Sequence, residues 1–152
     1  MLKTLVSLVV LSLISTQLWA SNGLINVKSR FKVAHTADRF KGLVEEKGMR
    51  VIKHVMHSQA ANRVGVKLKP TELLIFGNPK IGSPLMQCQR TIAIDLPQKL
   101  LIWEDDDGQV WMTYNNPIYI ADRHQVGEAC RGSLNKIAGA LAKFTKIAGD
   151  VN

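Results

Sequence analysis

Apolar residues recur along this chain with two periods, and the switches between them outline its elements. "GLINVKSRFK" alternates, with Ile25, Val27, Ser29 and Phe31 on one face and Asn26, Lys28, Arg30 and Lys32 on the other, the pattern of a half-buried strand. The period then lengthens. In "ADRFKGLVEEKG", Phe40, Leu43 and Val44 form a helical stripe that Thr36 is expected to cap, with Asp38 in the first turn and Gly48 as the stop. "MRVIKHVMH" reads as a second strand, "SQAANRVG" as a short helix or turn, and "VKLKPTELLIFG" as the entry to a third strand whose apolar end runs from Leu73 to Phe76. A helix is expected from Pro84 to about Ile94, closed by "DLP", because proline donates no hydrogen bond and disfavours helical geometry in the residue before it. "NPIYIADRHQVGEACRG" reads as an irregular connection. Ser133 is expected to cap a last helix in which Leu134, Ile137, Leu141, Phe144 and Ala148 repeat at three and four, with Gly149 at its end.

Between these lies "QKLLIWEDDDGQVWMTY", a hairpin with Asp107-Gly108 as its tight turn. With a two-residue loop, Leu101, Trp103, Val110, Met112 and Tyr114 share one face, the expected core. Ile102, Trp111 and Thr113 then share the other, which is apolar enough to call for a helix or a partner subunit over it. The order β-α-β-β-α-β-β-α, with hairpin-type neighbours, predicts an α+β domain: an antiparallel sheet with helices on one side.

The first twenty residues stand apart. Lys3 precedes the uncharged run "TLVSLVVLSLIST" and Ala20 follows in "QLWA", the layout of a secretory signal peptide, with Leu18 bulky for its place before the cut. The run is shorter than the roughly 20 residues of a membrane span, so no anchor is expected after cleavage. The expectation is a signal peptide over 1–20, one domain over 21–152, and a periplasmic or secreted location. Without Lys3 the remaining chain has 19 basic and 12 acidic side chains, a net of +7. In an exported protein that charge points to anionic surfaces, acidic ligands or solubility rather than to nucleic acid. Cys88 and Cys130 both lie in the exported part. A disulfide between them would close a loop of ~40 residues and stabilise the fold by roughly 4 kcal/mol in the chain-entropy model. Two separate thiols are the alternative, and neither cysteine sits in a CxxC pair.

At "MHSQAA", "FGNPK", "IDLP" and "DDGQVWMTYNNP" the residues resemble domain-of-unknown-function family 302, over roughly Asn26 to Ala148. The resemblance carries over to His57, to Gly77, Asn78 and Pro79, and to Tyr114 and Pro117. It implies a curved, mostly antiparallel sheet of about five strands with helices packed on it, similar in topology to the TATA-binding protein. It implies no activity, and likeness to a DNA-binding fold is not evidence of DNA binding.

"LLIFGNPKIGSPLM" has the strand, GxxxxG and helix of a phosphate-binding loop, but Ser83 stands where lysine belongs and Pro84 where the magnesium-binding hydroxyl belongs. It reads as a turn, with Lys80 able to supply charge to an anion. His54 and His57 fall on opposite faces of a strand and cannot chelate one metal together. His35 and His124 read as surface, and "EDDD" lacks the ligand spacing of a calcium loop. Lys28, Arg30 and Lys32, with Lys67 and Lys69, read as a solvated sheet face or a protected edge. No nucleophile elbow, paired carboxylates or metal cluster is present, and no cofactor is expected. The sequence leaves three readings: a small exported ligand-binding or interaction domain, forming a homodimer in one version, with a pocket bordered by His57, Asn78, Lys80 and Tyr114; a periplasmic enzyme using His57; and a scaffolding partner using the Trp111 face.

Overall fold

The computed structural model describes residues 22–151, so the signal peptide expected over 1–20 lies outside the described residues. Five strands, β1 (Leu24–Ser29), β2 (Arg50–Met56), β3 (Thr71–Gly77), β4 (Gln98–Glu104) and β5 (Val110–Asn115), form one antiparallel sheet in the order β1-β5-β4-β3-β2. Five helices connect or follow them: α1 (Val33–Glu46), α2 (His57–Arg63), α3 (Pro79–Cys88), α4 (Pro117–Arg123) and α5 (Glu128–Gly149), with a 3-10 turn over Arg90–Ile94. The fold is α+β, as the element order predicts.

Helices α1 and α5 pack side by side on one face of the sheet. The apolar stripe of α1 (Ala37, Phe40, Val44) and that of α5 (Leu141, Phe144, Ala148) meet Leu74, Phe76, Leu100, Ile102 and Met112 in a single core. A smaller cluster of Leu85, Ile92, Ile120 and Leu134 joins α3, α4 and the first turns of α5. The end of α5 is held by Arg39, whose Nε donates to Ala148 O at 2.8 Å and whose Nη2 donates to Ile147 O at 2.9 Å, satisfying carbonyls the helix leaves orphaned. Only glycine fits at 149, because a Cβ there would stand 2.6 Å from the Lys28 carbonyl of β1.

Several expected boundaries move. Helix α1 starts at Val33 and has no side-chain cap; Thr36 lies inside it, fully buried, its hydroxyl bonded to Lys32 O and paired with Ser29 Oγ at 2.7 Å. Asp38 is accordingly not in the first turn. Helix α3 starts at Pro79 rather than Pro84, which sits inside it, and it ends at Cys88 before an extended Gln89. The segment after Pro117 is a helix rather than irregular, and α5 starts at Glu128, five residues before Ser133.

The hairpin correction is larger. Glu104 pairs with Val110 and Leu101 with Thr113, so the loop has five residues, Asp105 to Gln109, in place of two. Relative to the expected pairing this is a slip of one residue, which turns one strand over against the other. Strand β5 keeps its expected face, with Val110, Met112 and Tyr114 in the core. Strand β4 is reversed: Leu100 and Ile102 are buried, while Leu101 and Trp103 join Trp111 and Thr113 outside.

Candidate functional site

Glycine 77 ends β3, and the chain turns directly into α3 because Asn78 is a strong N-cap: its Oδ1 accepts from Lys80 N at 2.9 Å, and Pro79 takes the first helical position. The GxxxxG segment is therefore the first turns of a helix and not a loop. Its donors are spent, since Pro79 has no N–H, Lys80 N bonds the Asn78 side chain, and Ile81 N and Gly82 N bond Asn78 O at 2.9 and 3.0 Å. No phosphate cradle remains. The other end of the Asn78 amide donates to Gly48 O at 3.1 Å, tying the start of α3 to the turn after α1. Replacing Asn78 by Ala is expected to cost about 1–2 kcal/mol, of which Asn78→Asp should recover the capping share. Urea melts of the three proteins check this, and an Ala variant as stable as the parent would remove the cap from the account.

Helix α3 meets the first turns of α5 through Leu85 and Cys88, and a cavity of about 720 Å³ lies between α3, the sheet end and the later turns of α5. Along one wall run Ile137, Ala140, Leu141 and Phe144 of α5, at the spacing of one helix face. Leu85 and Met86 of α3 form the other wall. The floor is the sheet end, Phe76 and Gly77 from β3 with Leu96, Pro97 and Gln98 leading into β4. The Leu96–Pro97 bond is cis. At the mouth, Ile52 and Ile81 are 56% and 45% exposed, beside the exposed Lys47, Lys80 and Lys136. Cys88 and Cys130, Cα atoms 6.5 Å apart, are joined as a disulfide, fastening the far end of α3 to the first turn of α5.

One polar group stands out in this apolar setting. Gln98 is 8% exposed, and its buried Nε2 has no hydrogen-bond partner. Burying an unpaired amide costs about 1–3 kcal/mol, so the great majority of buried polar groups in folded proteins are paired.

Of the four residues expected to border a pocket, two do. Asn78 and Lys80 lie at its rim. His57 does not: Met56 pairs with Glu72 and Arg50 with Gly77, so His57 is exposed at the opposite end of β3, roughly 20 Å from Asn78 at about 3.3 Å per residue. Tyr114 is 3% exposed within the core, where burial raises its phenol pKa and a hydrogen bond with Thr145 partly opposes this. Three residues that line the cavity, Gln98, Lys136 and Ala140, escape the sequence reading, and Phe144 enters it only as part of the last helix's apolar stripe. Gln98 gave no signal in sequence, because the expected hairpin register turned its face, shared with Leu100 and Ile102, outward; only the observed register makes it a polar residue at a core position.

Two histidine contacts also form in space. His54 Nε2 lies 2.7 Å from Glu72 Oε2, across β2 and β3. His124, read from sequence as surface, has a side chain only 8% exposed; its Nε2 is 2.7 Å from Asp95 Oδ2 and its Nδ1 3.0 Å from Thr91 Oγ1. That cluster pins the 3-10 turn to the end of α4. Among the described residues no group of three or more His, Cys, Asp or Glu side chains is placed to hold a metal ion.

The molecule is thus a small α+β domain with one sheet, a two-helix cover and an apolar cavity under a third, disulfide-fastened helix. The chain belongs to the DUF302 family, a domain of unknown function, which matches residues 25–144. It is similar to the crystal structure of an uncharacterized conserved DUF302 protein from Bacillus stearothermophilus, with a TM-score of 0.76 at 16% identity, covering 84% of this chain and 99% of that one. It is 42% identical over 127 residues to fluoride-specific ion channel FluC 1 of Brucella suis, covering 84% of this chain and 50% of the relative. The match to fluoride-specific ion channel FluC 2 of Brucella melitensis is also 42%, covering 47% of that relative. The chain spans about half the length of the curated relatives it matches.

Proposed function

We propose that this chain is an exported small-molecule-binding domain and that the cavity between α3 and α5 is its binding site. The observation that carries the reading is the cavity itself, about 720 Å³ lined by Phe76, Leu85, Met86, Ile137, Leu141 and Phe144, with Lys47, Lys80 and Lys136 at its mouth. The hydrocarbon lining supplies the area that a small apolar molecule buries. Export rests on the N-terminal charge and apolar pattern described above. The relatives named as fluoride channels do not alter this assignment. Fluoride is a small, strongly hydrated ion that requires several converging donors to replace its water, whereas this cavity is lined mainly by hydrocarbon. No helix among the described residues is long and apolar enough to cross a membrane.

The test is native purification followed by mass spectrometry under conditions that keep non-covalent ligands, with the Ala140→Phe protein, whose added ring fills the cavity from the α5 wall, in parallel. Without ligand, Gln98→Met is expected to raise stability by about 1–3 kcal/mol, because an unpaired amide gives way to a similarly shaped apolar chain. Ala140→Phe is expected to lose retained ligand. An Ala140→Phe protein that is folded and still carries the same ligand would refute the assignment.

A second reading has its own support. The sheet face away from α1 and α5 carries Leu101, Trp103 and Trp111, each half-buried, with Lys28 Nζ 5.3 Å from the Trp111 ring centre. A homodimer or partner packed over this face would complete its burial. Light scattering across a concentration series, compared with Trp111→Lys, tests it: a parent that stays monomeric throughout eliminates the homodimer.

A further inference from the structure

We infer that the corner of the molecule between β2 and β3 docks on an anionic lipid bilayer, with the turn after α2 entering the interface and the cations around it meeting lipid phosphates.

The corner is apolar where nothing covers it. Met56 ends β2, and Val64, Val66 and Leu68 follow α2; they are 39%, 76%, 55% and 44% exposed. Single apolar side chains scattered over a surface are ordinary, but these four gather at one end of the sheet among polar and basic residues. They are also held in place. Gly65, at φ 77°, closes α2 as its N–H donates to Asn62 O at 3.2 Å and Val66 N donates to Ala61 O at 3.0 Å. The other end of the segment is fixed by Glu104 N, which donates to Pro70 O at 3.0 Å, and by Thr71 N, which donates to Ser58 Oγ at 3.4 Å. The apolar knuckle is therefore preformed, and docking does not have to order it.

Charge complementarity selects the occupant. From Lys47 to Thr71 the chain carries six lysines and arginines and no aspartate or glutamate. Arg63 and Lys67, on either side of the knuckle, are exposed and have no ion-pair partner among the described residues. The acidic hairpin tip adjoins the corner only past Lys69, whose Nζ is 3.5 Å from Asp106 Oδ1 and offsets its charge. The attraction to an anionic surface therefore rests on Arg63 and Lys67.

Two other occupants fit less well. A second copy docked symmetrically would set these cations against themselves with no carboxylate in the segment to pair them. A rigid protein face would need a recess matched to the protruding Val64, whereas acyl chains close around any side chain that stands out. Val66 and Leu68 alternate with Lys67 and Lys69, so apolar tips enter the interface while lysine stems extend to the phosphates. The corner lies at the end of β2 and β3 away from the cavity mouth, roughly 20 Å from Asn78 at about 3.3 Å per residue, so the inference stands apart from the ligand reading.

The experiment sediments residues 21–152, which contain the whole sheet and both apolar clusters, so that the apolar run over 1–20 takes no part. The vesicles are phosphatidylcholine alone, or phosphatidylcholine and phosphatidylglycerol in roughly equal parts. The parent is expected to partition about tenfold more strongly onto the anionic vesicles, with the margin falling as salt rises. Val64→Ser/Val66→Ser should reduce that partitioning about tenfold, and Arg63→Gln/Lys67→Gln should do so by a similar factor. All four positions are exposed, so the circular dichroism and melting temperature of these variants should match the parent. Ile94→Ser removes an apolar side chain that is 74% exposed near the opposite end of the sheet and should change nothing. Failure to sediment with anionic vesicles, equal partitioning onto both compositions, or a loss in Ile94→Ser as large as in Val64→Ser/Val66→Ser overturns the inference. A parent oligomer in light scattering that Val64→Ser/Val66→Ser turns into a monomer overturns it too, because the corner is then covered by a second copy.

Discussion

Phe40→Ala is expected to lower the unfolding free energy by about 3–5 kcal/mol, a large share of the 5–15 kcal/mol that a domain of this size commands. Phe40 has no exposed surface, and its ring meets Phe76 edge to face, with centroids 5.1 Å apart at 72°. The deletion therefore removes hydrocarbon from the centre of the core and also one aromatic pair. Phe76 is at once the partner of Phe40 and part of the cavity floor, so the effect reaches the site. With its support gone, Phe76 gains room to move away from the cavity, and ligand affinity should fall along with stability. Phe40→Leu keeps most of the volume and should cost less than half as much. Chemical denaturation of the three proteins gives the numbers. A loss of under about 1 kcal/mol for Phe40→Ala would mean that the α1 stripe is not packed on the sheet as described.

The α1 stripe containing Phe40 was legible because the 3.6-residue period of an amphipathic helix is written in the side chains that are buried; the same holds for α5, and for β1 with its period of two. What was not legible depended on single side chains choosing local partners. The hairpin shows this. "DDG" suggests a two-residue turn, yet Asp105 Oδ1 accepts from Asp107 N at 3.0 Å and from Gln109 N at 2.9 Å, and its Oδ2 accepts from Trp111 Nε1 at 2.7 Å. The indole hydrogen bond, foremost among these, holds the Asp105 carboxyl below the usual carboxylate range. With Gly108 at φ 80° closing the turn, that carboxylate organises a five-residue loop and sets the register of β4 against β5. Both tryptophans then lie on the outer face, where Trp103 Nε1 donates to Thr113 Oγ1 at 2.8 Å.

The helix starts follow the same logic. Thr36, Ser83 and Ser133 are good caps by type, but a cap works only where the chain enters from an extended residue. Asn78 satisfies that condition at the end of β3 and so starts α3 five residues ahead of Pro84, converting an apparent glycine loop into a cavity wall. The cavity itself is a product of three elements distant in sequence, and its lining could be named only when α3 and α5 were placed on the sheet. Asn78 and Lys80 were reachable because they adjoin a recognisable strand end. His57 follows a different strand end, and the antiparallel pairing of β2 with β3 sends it to the far side.

The second large effect is expected from Cys88→Ser/Cys130→Ser. A cross-link between residues 42 apart in sequence restricts the unfolded chain by about 4 kcal/mol in the chain-entropy model, so the double variant should lose stability of that order. The consequence for the site is separate from the consequence for the fold. Helix α3 is held at its start by Asn78 bonding Gly48 O and at its end by the disulfide, with the cavity between it and α5. Cutting the second tether leaves Leu85 in its small cluster but frees the last turn of α3, so the cavity wall becomes mobile and bound ligand should dissociate faster. Hydrogen exchange in α3, measured on protein that is still folded, distinguishes the two consequences: protection should fall in Pro79–Cys88 and hold in β3, β4 and α1. Uniform loss of protection across the sheet would mean that the cross-link serves the whole fold, and an unchanged α3 would mean that packing alone keeps this wall in place.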